Sequence, residues 1–292
     1  MKTLSKTIKF ILLFLIVCNN LYSISDSTNT NIKPRLLAGI SLIPSLNFNS
    51  GIYKAVNKNN ICCNDLEFSN TDFAFGFEIN SKALFHNLYG LPIFDSLSYS
   101  VSSQFNFSGN AVKGSNFEPR RQVILNNELS DLIERNEIQI NYSSLFWIIN
   151  FELGTPFDSL NYYTNLDKPT FYFSLGPVIG FIMNNDYTQT LSIVKPSGYL
   201  YSNGKSTKVS QYDSFDGFNS FVFGINLNFD AYWNAYQIVR KDWSKEIELG
   251  FGIRYIHLFT SLIDNQDINN SSLGLKLNIL YNLPLYKESK VE

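Results

Sequence analysis

From position 35 to 286 the chain alternates between apolar and polar residues with a period of two. In the clearest stretch, 97–107, Leu97, Tyr99, Val101, Phe105 and Phe107 share one side, with Ser103 the polar exception among them. Ser98, Ser100, Ser102, Gln104 and Asn106 share the other. Successive side chains of a β-strand face opposite ways, so this segment is a strand with one apolar and one polar face. Its length falls within the ~9–11 residues that a tilted strand needs to cross a bilayer. Only helices and closed barrels span lipid with every backbone polar group satisfied.

Seven further segments repeat the pattern: 36–48, 72–80, 138–153, 170–183, 221–231, 246–259 and 273–285. Together they predict an all-β fold, an eight-stranded antiparallel up-and-down transmembrane barrel, with ten strands as the variant. Three irregularities stand out. Leu37 and Ile43 interrupt the polar side of the first segment, and Pro177 interrupts the apolar side of the fifth. In the fourth, Ile138, Ile140 and Tyr142 are out of phase with Leu145, Trp147, Ile149, Phe151 and Leu153, which predicts a β-bulge at Ser143 and Ser144.

An even strand count puts both termini on one side of the membrane. With the amino terminus in the periplasm, connections 49–71, 108–137, 184–220 and 260–272 are extracellular. They are longer on average than 81–96, 154–169 and 232–245, as outer-membrane barrels require. Trp233, Tyr236 and Trp243 suit an aromatic girdle at the periplasmic interface. Asn203-Gly204 predicts a type I′ hairpin, with 199–202 paired against 205–208. Tyr187, Tyr199, Tyr201 and Tyr212 make this region aromatic, and 128–137 reads as a short helix.

The amino terminus fits export. A basic start up to Lys9 precedes an apolar run over 10–18, too short for a transmembrane helix and right for a signal peptide. Ser23 and Ser25 offer cleavage positions, so the expected organisation is a signal peptide 1–25, a periplasmic segment 26–34, a barrel 35–286 and a periplasmic tail 287–292. Val17 before Cys18 departs from the small residue that a lipoprotein signal places there. No other apolar run reaches the ~18 residues of a membrane helix. Charged residues make up 16% of the chain against roughly 25% in soluble domains, which favours the membrane. A net charge of −2 argues against nucleic acid as a partner.

The run 189–209, Gln-Thr-Leu-Ser-Ile-Val-Lys-Pro-Ser-Gly-Tyr-Leu-Tyr-Ser-Asn-Gly-Lys-Ser-Thr-Lys-Val, resembles the loop after the fifth strand in a family of small bacterial outer-membrane β-barrels, the OmpA-like or PorT-like membrane barrels. The Cys62-Cys63 pair followed by Phe68, and the closing region 253–286, are similar to the same family. The resemblance implies a barrel in the bacterial outer membrane, with no catalytic signature. Some members carry a periplasmic peptidoglycan-binding domain, for which the residues after 286 leave no room.

Alternation places Glu78, Glu152, Asp230, Glu248, Arg254 and Lys276 in the lumen. Side chains fill an eight-stranded barrel, and charges removed from water must pair, so a plug of salt bridges is expected. A narrow ion path or small-ligand site is the sharper alternative. Cys62 and Cys63 are the only cysteines after the leader. Export to an oxidising compartment favours a disulfide between them, with intermolecular pairing or free thiols as alternatives. His257 lies on the outward face near the extracellular rim. A catalytic partner two residues along the strand would be Phe259, and Ser261 is one repeat too far, so His257 reads as an interfacial residue beside Tyr255. His86 has no evident partner.

No phosphate loop, zinc spacing or metalloprotease motif occurs, so no cofactor, metal or enzymatic activity is expected. The expected protein is a structural or surface-contact outer-membrane barrel. Its partners are outer-membrane lipid and the barrel-assembly machinery, and the extracellular loops leave theirs unspecified. Alternatives are a lipid-modifying enzyme, a small-ligand transporter and an accessory protein of a secretion system.

Overall fold

The computed structural model describes residues 35–53, 65–86, 98–118, 120–154, 169–215, 217–264 and 266–283. The segments 1–25, 26–34 and 287–292, together with Cys62 and Cys63, lie outside the described residues. Ten strands run in chain order: β1 (Arg35–Tyr53), β2 (Leu66–His86), β3 (Ser98–Phe117), β4 (Arg121–Leu125), β5 (Glu128–Gly154), β6 (Thr170–Lys195), β7 (Thr207–Tyr212), β8 (Phe221–Asn234), β9 (Ile247–Leu258) and β10 (Asp267–Leu283). Eight of them close a ring in the order β5-β3-β2-β1-β10-β9-β8-β6, with β6 pairing back onto β5. All neighbours are antiparallel. β4 and β7 extend the wall beyond the ring, against β5 and β6.

The outer surface explains the closure. Phe73, Phe75, Phe151, Phe229, Ile253 and Leu277 are among many large apolar side chains that face outward and stay exposed. Each is worth roughly 1.5–3 kcal/mol when removed from water, so this belt is a lipid-facing surface. On β5 the outward apolar run covers 145–153, within the ~9–11 residues of a tilted spanning strand. Ser103, the polar exception on the apolar side of β3, is covered by Trp147, whose indole N–H donates to its hydroxyl at 2.9 Å.

The strands run well past this belt at the end opposite the start of β1, here called the far end. β5 continues from Ser143 to Glu128, roughly 50 Å of strand. Residues 128–137, expected to be helical, belong to this extension. They form a hairpin with β4 through a turn at Asn126 (φ 54°) and Asn127 (φ 67°). Two positive φ angles are what a type I′ turn demands, and asparagine accepts them better than most residues.

The bulge at Ser143 and Ser144 is corrected in kind. β5 buries every even-numbered position from Leu132 to Gly154 without a slip. The offset lies across the ladder: Ser143 pairs with Asn184 and Ser144 with Ile182, leaving Met183 as the extra residue in β6. Ile138, Ile140 and Tyr142 remain inward because the lumen itself turns apolar above the membrane. Apolar residues on successive opposite faces imitate a phase change.

The hairpin at Asn203-Gly204 is also wider than expected. The paired stretches are 187–192 and 207–212, not 199–202 and 205–208. At the tip the Gly204 N–H donates to the Tyr201 carbonyl, and the Tyr201 N–H to the Lys205 carbonyl, both at 2.9 Å. Gly204 takes the left-handed conformation (φ 72°), as in a type I turn followed by a glycine bulge.

Candidate functional site

The lumen is layered. Nearest the start of β1, Leu37, Leu84, Tyr172, Tyr232 and Leu280 form an apolar floor. Above it lie the charges. Glu78 on β2 receives Arg254 from β9, and Lys276 from β10 at 3.0 Å, all three buried. Glu152 on β5 receives Lys82 from β2 at 2.6 Å and the Ser100 hydroxyl at 2.6 Å. The Lys82 ammonium also lies 3.2 Å from the centre of the Tyr172 ring, a cation–π contact that ties charge layer to floor. Asp230 is buried and accepts from Asn278 at 3.4 Å. Lys82, Arg254 and Lys276 thus face Glu78, Glu152 and Asp230, three basic side chains against three acidic ones in this layer. Glu248 keeps the inward parity of Arg254 and is half-buried, level with Asn234 at the end of β8.

Asparagine and serine continue the network upward, as in Asn226 to Asn150 (2.8 Å) and Asn47 to Asn110 (2.8 Å). A void of about 30 Å³ lies beside Arg254, Asn106 and Tyr142. It has room for a water. The far end is then sealed by a second apolar cluster, including Ile138, Ile140, Phe146, Val222, Leu258 and Phe215.

Above the membrane, the extended strands are locked together. Glu134 on β5 is buried, receiving Arg121 from β4 and the Tyr201 hydroxyl of the β6–β7 connection at 2.6 Å. The Glu118 N–H donates to the Glu134 carbonyl at 2.9 Å. The Glu134 carboxylate therefore latches two segments, β4 and the β6–β7 connection, and its backbone carbonyl holds the β3–β4 connection. Burial and the Glu134 carboxylate push the Tyr201 hydroxyl well above its ordinary range, so it stays a donor. Burial also raises the Glu118 carboxyl, with Arg121 opposing and Glu134 reinforcing.

A raised carboxyl stabilises the folded latch fully below its ordinary value of about 4.5 and loses that contribution as pH climbs through the raised value. Proteolytic nicking of this region is therefore expected to quicken from mildly acidic to neutral pH, and Glu118→Gln is expected to abolish the increase. Tyr201→Phe is expected to raise nicking at both pH values, read as cleavage rate on intact cells.

The outward face of the extension holds a polar hollow of about 530 Å³, lined by Glu67, Lys113, Arg135, Glu137, Gln139 and Thr190. It opens where β2 and β3 part between Phe68 and Phe75, and Asn70 there accepts the Lys113 N–H at 3.0 Å. At the hairpin tip, Ile124 and Leu129 pair across the strands and stand 71% and 72% exposed. Among the described residues no cluster of His, Cys, Asp or Glu could hold a metal ion.

On the outer rim, His257 on β9 stands directly opposite Ser271 on β10. Its Nδ1 lies 2.9 Å from the Ser271 hydroxyl, and the Tyr255 hydroxyl donates to the same oxygen at 3.3 Å. His86 closes β2, paired with Ser98.

No protein-family model matches the sequence, and no curated protein matches it. Among solved structures it is similar to Neisserial surface protein A, at 8% identity over 85% of this chain and 97% of that one (TM-score 0.33). It is also similar to Ail, the attachment invasion locus protein of Yersinia pestis, at 9% identity over 84% and 98% (TM-score 0.28). A third similar structure is the outer membrane protein OprG from Pseudomonas aeruginosa, at 8% identity over 86% and 96% (TM-score 0.35).

Sequence reasoning missed Lys82, Glu134 and Ser271. Lys82 continues the inward parity of Glu78 and Asn80, and extending that strand by one repeat would have found it. Glu134 has the same parity as Ile138, but its segment read as helical. Ser271 pairs across a ladder whose register a single sequence does not display.

Proposed function

We propose that this chain is an outer-membrane β-barrel whose lumen is a structural plug and whose function is surface contact, carried by the strands above the membrane. One observation carries the reading. Apolar layers close the lumen at both ends, while β4 to β7 build a latched, polar extension tipped by exposed Ile124 and Leu129. A small-ligand transporter needs the reverse, an open lumen and dispensable loops. The lipid-facing belt supports residence in the outer membrane, because barrels are the form in which strands cross a bilayer.

The test uses cells displaying the full chain, assayed for binding to immobilised glycans and matrix proteins. Replacing the hairpin tip 123–130 by a short turn is expected to abolish binding while the barrel still migrates as a heat-modifiable band. Unchanged binding with the tip removed rejects this reading.

A further inference from the structure

The rim pair His257 and Ser271 sits at a particular depth. Below Ser271 on the same strand come Leu273, Leu275 and Leu277, all exposed on the lipid side. Above it stand Asn269 and, paired with Asn269 on β1, Ser50, both exposed and polar. The pair therefore lies in the upper part of the apolar belt, where Asn269 and Ser50 bring in polar surface among the still exposed Phe48, Ile52 and Phe259. Lipid acyl chains lie along such a belt, and the ester bonds that join them to headgroups lie at its edge.

The local geometry is that of a nucleophile and its base. An imidazole nitrogen 2.9 Å from a hydroxyl is within reach to take its proton as the oxygen attacks. The imidazole is held in place. The Tyr255 ring stacks parallel to it at 6.5 Å, and the Phe259 ring meets it edge-on at 5.5 Å. The Tyr255 hydroxyl, 3.3 Å from the Ser271 oxygen, is a donor beside the position where an oxyanion would form.

We propose that Ser271 and His257 are the nucleophile and general base of an acyl-ester hydrolase that works from the outer surface of the barrel on lipids of the surrounding leaflet. Ser271 Oγ bonds to the ester carbonyl carbon while its proton passes to His257 Nδ1. The resulting oxyanion accepts a hydrogen bond from Tyr255. Its collapse breaks the ester C–O bond, the departing alkoxide takes the proton from His257, and an acyl-serine remains. Water then attacks the acyl carbon, giving its proton to His257, which returns it to Ser271 as the acyl–serine bond breaks. One ester and one water become one alcohol and one fatty acid, with no oxidant or cofactor needed.

The full chain is reconstituted separately in phosphatidylethanolamine vesicles and in vesicles containing lipopolysaccharide, and released fatty acids are measured by mass spectrometry. Release is expected in at least one arm, and the arm identifies the lipid source. Ser271→Ala and His257→Ala are each expected to reduce release by on the order of 10²–10⁴-fold. An alkyl fluorophosphonate is expected to label Ser271 in the wild type and to fail with His257→Ala. Heat-modifiable migration checks that each variant is folded, and both positions face away from the lumen. Absence of release in both arms from folded wild type overturns the proposal, as does equal release from Ser271→Ala.

Discussion

Glu78→Gln is expected to destabilise the barrel by about 3–5 kcal/mol, the usual consequence of removing one partner from a buried ion pair. Two cations depend on this carboxylate. Arg254 and Lys276 both reach it, and all three side chains are at most 3% exposed. Glutamine keeps the shape and removes the charge, leaving two buried cations beside Asp230 alone. The measurement is the urea concentration at which the heat-modifiable form is lost in lipid vesicles. A second variant separates charge from packing. Replacing Glu78, Arg254 and Lys276 together by apolar residues of similar volume is expected to recover most of the loss, since buried ion pairs exchange for well-packed apolar groups at little net cost. A midpoint for Glu78→Gln equal to wild type would mean that the charged layer is hydrated rather than paired.

Where lipid meets one face and a polar lumen the other, the strands can be read directly. β8 illustrates this: Phe221, Phe223, Ile225, Leu227 and Phe229 alternate with Gly224, Asn226, Asn228 and Asp230, and the chain folds as that pattern dictates. Legibility fails where the contrast between faces fails. Above the membrane the outward face of β5 carries Ser143, Asn141, Gln139, Glu137 and Arg135, while the inward face carries Ile138, Ile140 and Tyr142. The pattern inverts, and an inverted pattern looks like a bulge or a helix. Partners brought together by register are harder still. Glu78 and Arg254 each showed the right parity, but their contact depends on how β2, β1, β10 and β9 are staggered around the ring. Along its own strand His257 has Phe259 at the next outward position and Ser261 one repeat too far. The hydroxyl it meets is fourteen residues away, on the neighbouring strand.

The purified protein is expected to pass no measurable steady current across a planar bilayer, and one blocked layer is expected to suffice. The floor of Leu37, Leu84, Tyr172, Tyr232 and Leu280 and the upper cluster around Ile140, Ile148 and Leu258 are separate seals, with the charge layer between them. Each is apolar and buried, so each alone is expected to deny an ion its hydration. Removing Tyr172 and Tyr232 side chains together is therefore expected to leave the barrel silent, although the Lys82 ammonium loses the aromatic rings it packs against. Trimming Ile140 and Ile148 to alanine in that background is expected to open a conductance that neither pair opens alone. Large-to-small changes in a packed interior cost roughly 2–5 kcal/mol each, so heat-modifiable migration must accompany every recording. A cysteine placed at Ser174 gives a second readout, since it becomes reactive to a small water-soluble thiol reagent when the floor is removed and stays protected in the wild type. Large, stable single-channel currents from the unmodified protein would contradict both seals and return the lumen to consideration as a transport path.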